Sequence, residues 1–99
     1  MKISTATSVF VNCAIEDAIR YTAEAGYDGI DIWGGRPHAY RHDFNRQELK
    51  RLRKLISESG LVVPSFLPAF YRYPYSLVNP RDAVRQDTLN YMYECADNA

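Results

Sequence analysis

Apolar residues recur at helical spacing in three stretches of the chain. Between about Ile15 and Ala25, the residues Ile15, Ala18, Ile19 and Thr22 fall at i, i+3, i+4 and i+7. They share one face, and Asp17, Arg20 and Glu24 occupy the other. A second stretch, from about Arg46 to Ser59, places Leu49, Leu52, Leu55 and Ile56 inward, and Asn45 with Glu48 forms an N-x-x-E start. The third begins at Asn79-Pro80, a capping residue followed by proline at the first helical position. It runs to about Asp97, with Val84, Thr88, Tyr91, Met92 and Cys95 as the stripe expected to be buried.

Short β-rich runs separate these helices. They are Ile3 to Thr7, Ile30 to Trp33 and Leu61 to Phe66. Two of the junctions resemble each other: Ala23-Glu24-Ala25-Gly26 and Ser57-Glu58-Ser59-Gly60 each close a helix on glycine before a strand. Glycine there supplies the left-handed position that stops a helix. The order is therefore β-α-β-α-β-α, which predicts a mainly parallel sheet. Pro64 and Pro68 limit regular pairing around the third strand.

The second strand indicates which parallel sheet to expect. Alternation along it sends Ile30 and Ile32 to one face, and Gly29, Asp31 and Trp33 to the other. A doubly wound sheet buries both faces under helices, so its strands read as continuous apolar runs. A (β/α)8 barrel instead turns one face inward, with polar residues near its upper end. The alternation favours the barrel. Such barrels typically need about 250 residues, and this chain has 99. Three βα units alone would leave one sheet face bare and the outer strand edges unpaired. The expected architecture is α/β, the first three βα units of an incomplete (β/α)8 TIM barrel, with residues 1–99 forming the N-terminal part of a single domain.

Charge and composition narrow the partners. Twelve Lys and Arg balance twelve Asp and Glu, so there is no electrostatic footprint for nucleic acid or an anionic membrane. No apolar run approaches the roughly 18 residues that span a bilayer. Ser4, Thr5, Thr7, Ser8 and Asn12 break up the N-terminal apolar stretch, which makes it a poor secretion signal. The expectation is a cytoplasmic protein whose Cys13 and Cys95 are reduced thiols packed as small hydrophobes.

Candidate chemistry clusters after the second strand, in Trp33-Gly34-Gly35-Arg36-Pro37-His38. Carboxyl ends of barrel strands carry active-site loops. Trp33 offers a flat platform for a sugar ring, Gly34 and Gly35 allow close backbone approach, and Arg36 offers a fork of donors for a carboxylate or phosphate. The alternative is a tight turn with a core-filling tryptophan and a surface arginine. Asp31, inside the barrel, needs partners from Lys2 or from further strands. It reads either as a substrate contact or as one half of a structural ion pair. His38 and His42 have a spacing that binds metal on a helix, but Pro37 and the Asp43-Phe44-Asn45 loop argue against helical geometry there. Of the two, His38 is the better candidate for touching substrate. Tyr71, Tyr73 and Tyr75 form either an aromatic wall over a sugar-sized pocket or a loop packing its own side chains. No phosphate loop, nucleophile elbow, CxxC motif or dinucleotide fingerprint is present.

The run Gly26-Tyr-Asp-Gly-Ile-Asp-Ile-Trp-Gly-Gly-Arg-Pro-His-Ala-Tyr40 closely resembles a segment of the sugar phosphate isomerase/epimerase proteins of the xylose isomerase-like barrel superfamily. Its Trp33 to His38 extension is similar to the fructoselysine-epimerase-like branch. Ile15-Glu16-Asp17-Ala18 and Tyr73-Pro74-Tyr75 are similar too. The resemblance implies an isomerase acting on a ketose. It would take a proton from beside the carbonyl and return it on the opposite face, through an enediolate stabilised by Mn²⁺ or a similar divalent ion. The metal ligands and the two proton-exchanging glutamates of that family come from later strands, so this chain is expected to hold neither metal ligands nor catalytic residues. Asp31 stands where relatives often have Glu. The residues carried over are substrate contacts: Asp31, Trp33, Gly34, Gly35, Arg36 and His38.

The parent protein is thus expected to be a divalent-metal-dependent sugar isomerase or epimerase acting on a small sugar or sugar derivative, with the fragment inactive alone. Two alternatives stand beside it. One is another reaction of the superfamily, such as inosose dehydration or hydroxypyruvate isomerisation. The other is a non-catalytic barrel-fragment module that pairs its bare edges in a homo-oligomer.

Overall fold

The computed structural model describes residues 1–99. Its elements are β1 (Ser4–Ala6), a 3₁₀ turn (Thr7–Phe10), α1 (Ile15–Glu24), β2 (Gly29–Trp33), α2 (Arg46–Glu58), β3 (Phe66–Leu67) and α3 (Asp82–Asn98). The strands form one parallel sheet in the order β1-β2-β3. This is a partial barrel of the expected kind.

Local chemistry accounts for the helix boundaries. After α1, Gly26 adopts φ +81° and Gly60 adopts φ +73° after α2. In each case two backbone bonds close the end: Gly26 N–H to the Ala23 carbonyl and Tyr27 N–H to Thr22, and likewise Gly60 to Ser57 and Leu61 to Ile56. That is the Schellman pattern, and it aims the chain straight into the next strand. The Asn45 side chain accepts from the amides of Gln47 and Glu48 and so starts α2. The third helix begins later than its sequence signal. The Asn79 side chain does accept from the Arg81 amide at 3.0 Å, but Arg81 is extended at ψ 121°, so the helix starts at Asp82 rather than Pro80. Met92, expected in the buried stripe, is 41% exposed; Thr88, Tyr91 and Cys95 are buried.

The core lies between the sheet and the first two helices. Ile30 and Ile32 pack against Ile15, Ile19, Leu52, Ile56 and Leu61. Burial of each such side chain contributes about 1.5–3 kcal/mol relative to exposure. The third strand departs from its expected span of Leu61 to Phe66. Gly29 bridges Val62, and regular pairing resumes only at Ile32 with Phe66. Ile30 and Asp31 therefore oppose Val63, Pro64 and Ser65, a bulge of one residue. Pro64 has no N–H to give the ladder, and its ring packs where a Cβ on Gly29 would stand.

Register puts Ser4 beside Gly29, Ala6 beside Asp31 and Leu67 beside Trp33, all on the face away from the helices. No layer covers that face. The accessible surface is 6720 Å² for 11.4 kDa, against about 5800 Å² for a close-packed protein of that mass. The radius of gyration is 14.3 Å, against about 12.6 Å for a compact domain of that length. No helix is long and apolar enough to cross a membrane.

Candidate functional site

The uncovered face carries its polar side chains in a row across the three strands. Asp31 projects from the middle of β2 and accepts from the Ser4 hydroxyl at 2.7 Å and the Ser65 hydroxyl at 2.6 Å, one on each carboxylate oxygen. Neither Lys2 nor any other cation pairs with it, so the ion-pair alternative does not hold, and two neutral donors, one from β1 and one from the bulge before β3, take its place. They tie the three strands together at one level.

Two residues further on, Trp33 ends β2. Its amide donates to the Thr7 hydroxyl at 2.9 Å, which fixes the strand end to the start of the 3₁₀ turn. The indole lies across Gly35, where a Cβ would come within 2.7 Å of three ring carbons. Arg72 holds its guanidinium 5.5 Å from the ring centroid. Ser8, Val11, Pro68, Tyr71 and Arg72 join Trp33 around an open cavity of about 310 Å³. These residues come from the chain just beyond the carboxyl ends of β1, β2 and β3, the end at which barrels place their active sites.

The two glycines do not serve as open backbone for a ligand. A Cβ on Gly34 would meet the Tyr91 hydroxyl at 2.9 Å and the Phe66 ring at 3.0 Å, and Gly35 is roofed by Trp33 itself. The pair makes room for the protein's own aromatic side chains. Tyr91 exploits that space. Its buried hydroxyl accepts from the Ala69 amide at 2.9 Å and donates to the Gly34 carbonyl at 3.4 Å, joining the ends of β2 and β3. Burial pushes its phenol pKa well above the ordinary value.

Arg36 is committed elsewhere. Its guanidinium forms two bonds to Asp43, at 2.5 and 2.8 Å, and lies over Tyr40. The Asp43 carboxyl is held below its usual range by that guanidinium. The Arg36 amide donates to the Tyr73 hydroxyl at 3.1 Å, and Tyr73 stacks on Tyr40. His38 is only 5% exposed and sits edge-on to Trp33. Its Nε2 lies 3.1 Å from the Cys13 carbonyl, and its Nδ1 has no partner. Burial lowers its pKa below the ordinary histidine value. It braces the loop before α1 rather than facing the cavity.

The three tyrosines divide. Tyr71 stands fully exposed at the rim of the cavity, whereas Tyr73 packs on Tyr40 and Tyr75 stacks on Tyr91 with ring centroids 4.2 Å apart. Two residues that sequence reasoning left aside prove central. Arg41 has a side chain only 8% exposed and clamps Asp87 and Glu94 of α3. Arg72 stands over Trp33. No spacing marks either one; each is identified by what the fold sets opposite it.

A divalent ion does not fit the residues present. No three His, Cys, Asp or Glu side chains converge, the oxygens of Asp31 are occupied by serines, and His38 faces a carbonyl. A cavity of about 700 Å³ lies on the helix side among Leu52, Ile56, Leu61 and Phe66. It is a gap in the packing between α2, the segment leading into β3 and the end of α3, and it does not include Asp31 or Trp33.

Comparison with known proteins accords with this geometry. The family described as "Xylose isomerase-like TIM barrel" matches residues 19–99. The fructoselysine 3-epimerase of Escherichia coli O157:H7 is 32% identical over 99 residues, which is all of this chain and 36% of that protein. The fructoselysine 3-epimerase of Shigella flexneri shows the same identity over the same share. The chain thus spans about a third of the length of these curated relatives. No solved structure matches it.

Proposed function

Because the chain belongs to the xylose isomerase-like TIM barrel family, we propose that it is the first part of a sugar isomerase or epimerase and supplies one wall of the substrate pocket. The supporting observation is the cavity at the carboxyl ends of the three strands, with the Trp33 indole as its flat apolar side and Ser8 and Arg72 as its polar ones. Sugars present C–H faces that pack on an aromatic ring and hydroxyls that need donors and acceptors. This wall offers both.

Epimerisation beside a ketose carbonyl needs a base to take the proton and an acid to return it on the other face. Asp31, the carboxylate on the inner face of β2, has both oxygens engaged by hydroxyl donors, so these residues bind and orient. The proton-exchanging groups belong outside this chain. So do the ligands of any divalent ion that the whole enzyme uses.

A chimera tests this. The present chain replaces the matching third of the E. coli fructoselysine 3-epimerase, and exchange of the epimerised C–H with D₂O is followed by NMR. The expected result is activity in the chimera and none in the isolated chain, with Mn²⁺ or Co²⁺ supplied. Trp33→Ala in the chimera should raise KM at least about tenfold, the loss of roughly 1.4 kcal/mol of binding. Turnover by the isolated chain, or a Trp33→Ala chimera with unchanged kcat/KM, would refute the assignment.

A further inference from the structure

The pocket beside Trp33 contains a cation whose charge nothing nearby neutralises. Arg36 and Arg41, the two arginines of the loop between β2 and α2, are both spent: Arg36 on Asp43, Arg41 on Asp87 and Glu94. Arg72 takes part in none of the chain's ion pairs. The residues that share its cavity include no carboxylate. Asp31, two residues before Trp33, has its oxygens occupied by Ser4 and Ser65.

A guanidinium near an indole face is held by the ring quadrupole and keeps its N–H donors for a ligand. Arginine matches the two-oxygen geometry of a carboxylate or a phosphate better than a point charge does. A cavity of about 310 Å³ lies at the lower end of the range for small-ligand sites. We propose that Arg72, seated on Trp33, is the specificity-determining residue that selects sugar derivatives bearing an anionic substituent, a carboxylate or a phosphate. The inference rests on the sugar-site reading above and adds the charge of the substrate to it.

Trp33 is the chain's single tryptophan, so its emission reports from the pocket wall itself. The 99-residue chain is titrated separately with D-fructose, fructose 6-phosphate, D-glucuronate and inorganic phosphate. At least one of the two anionic sugars should change Trp33 emission saturably, with a midpoint about tenfold or more below those of fructose and inorganic phosphate, the worth of one charge-assisted bond. Whichever anionic sugar has the lower midpoint identifies the anion. Arg72→Met should abolish the preference, and Arg36→Met should leave it intact. Equal midpoints for fructose and both anionic sugars would overturn the inference and leave the sugar site standing. So would a preference that survives Arg72→Met, or inorganic phosphate alone matching the sugar phosphate. No response to any of the sugars would overturn the sugar-site reading and the inference together.

Discussion

Replacing Tyr91 with phenylalanine removes one oxygen from the joint between β2 and β3 and leaves the ring in place. That ring is 2% exposed, stacked on Tyr75 at 4.2 Å and edge-on to Phe70 at 5.7 Å, so its packing survives the change. What is lost is the acceptor for the Ala69 amide at 2.9 Å, at a residue only 3% exposed. A buried amide left without a partner costs about 1–3 kcal/mol. The bond to the Gly34 carbonyl, at 3.4 Å, is at the weak limit and adds little. The expected loss is therefore about 2 kcal/mol, a fall in Tm of roughly 8–16 °C for a chain of this size. Urea unfolding followed by far-UV circular dichroism measures it, with Tyr93→Phe as the control. Tyr93 is 68% exposed, and its variant should stay within about 0.5 kcal/mol of the parent. A Tyr91→Phe variant that also stays within about 0.5 kcal/mol at unchanged m would show that the hydroxyl does not bear the joint.

Three further outcomes follow from the same packing. His38 is buried and its pKa lowered by burial, against the opposing carbonyls of Cys13 and Phe10 and the charge of Glu16. The unfolded chain takes that proton near pH 6.5, so stability should fall with pH below about 6.5, by up to about 1.4 kcal/mol per pH unit. His38→Gln should flatten the slope, and parallel curves from urea midpoints would contradict this. Arg41→Met removes a buried guanidinium from two half-exposed carboxylates. The loss should be about 2 kcal/mol, between a surface pair and a fully buried one, with faster hydrogen exchange in α3; unchanged exchange would contradict the clamp. Gly35→Ala drives a Cβ into the Trp33 ring, so it should cost about 1–3 kcal/mol and shift Trp33 emission; an unshifted spectrum at parental stability would contradict that seat.

The readable parts of this fold are those whose causes lie within a few residues. The apolar stripe of α1, its Gly26 stop, the Asn45 start of α2 and its Gly60 stop all stand as the sequence indicates. Each depends on spacing or on a cap bonded to its own helix. The third strand was harder to read because Pro64 forces a bulge, and where pairing resumes depends on the partner strand. The same division runs through the candidate site. Trp33 on the inner face follows from alternation in β2, but the use of its neighbours does not. Arg36 looked free until the chain turned Asp43 onto it. Gly34 looked open until Tyr91 and Phe66 filled the space above it.

By itself, the sequence determined the order of elements, the parallel sheet, the face on which Asp31 and Trp33 stand, and the resemblance to sugar isomerases. Hydrophobic period, backbone caps and strand alternation are local, and they act before any distant residue arrives. Only the tertiary structure decided which polar groups are spent and which remain available. Asp31 is satisfied from β1 and from the bulge before β3, and Arg41 is neutralised from α3. Arg72 is set over Trp33 with no counter-charge. Whether a charge is free depends on what the fold brings within a few ångströms of it, and for Asp31 and Arg41 those partners lie tens of residues away along the chain.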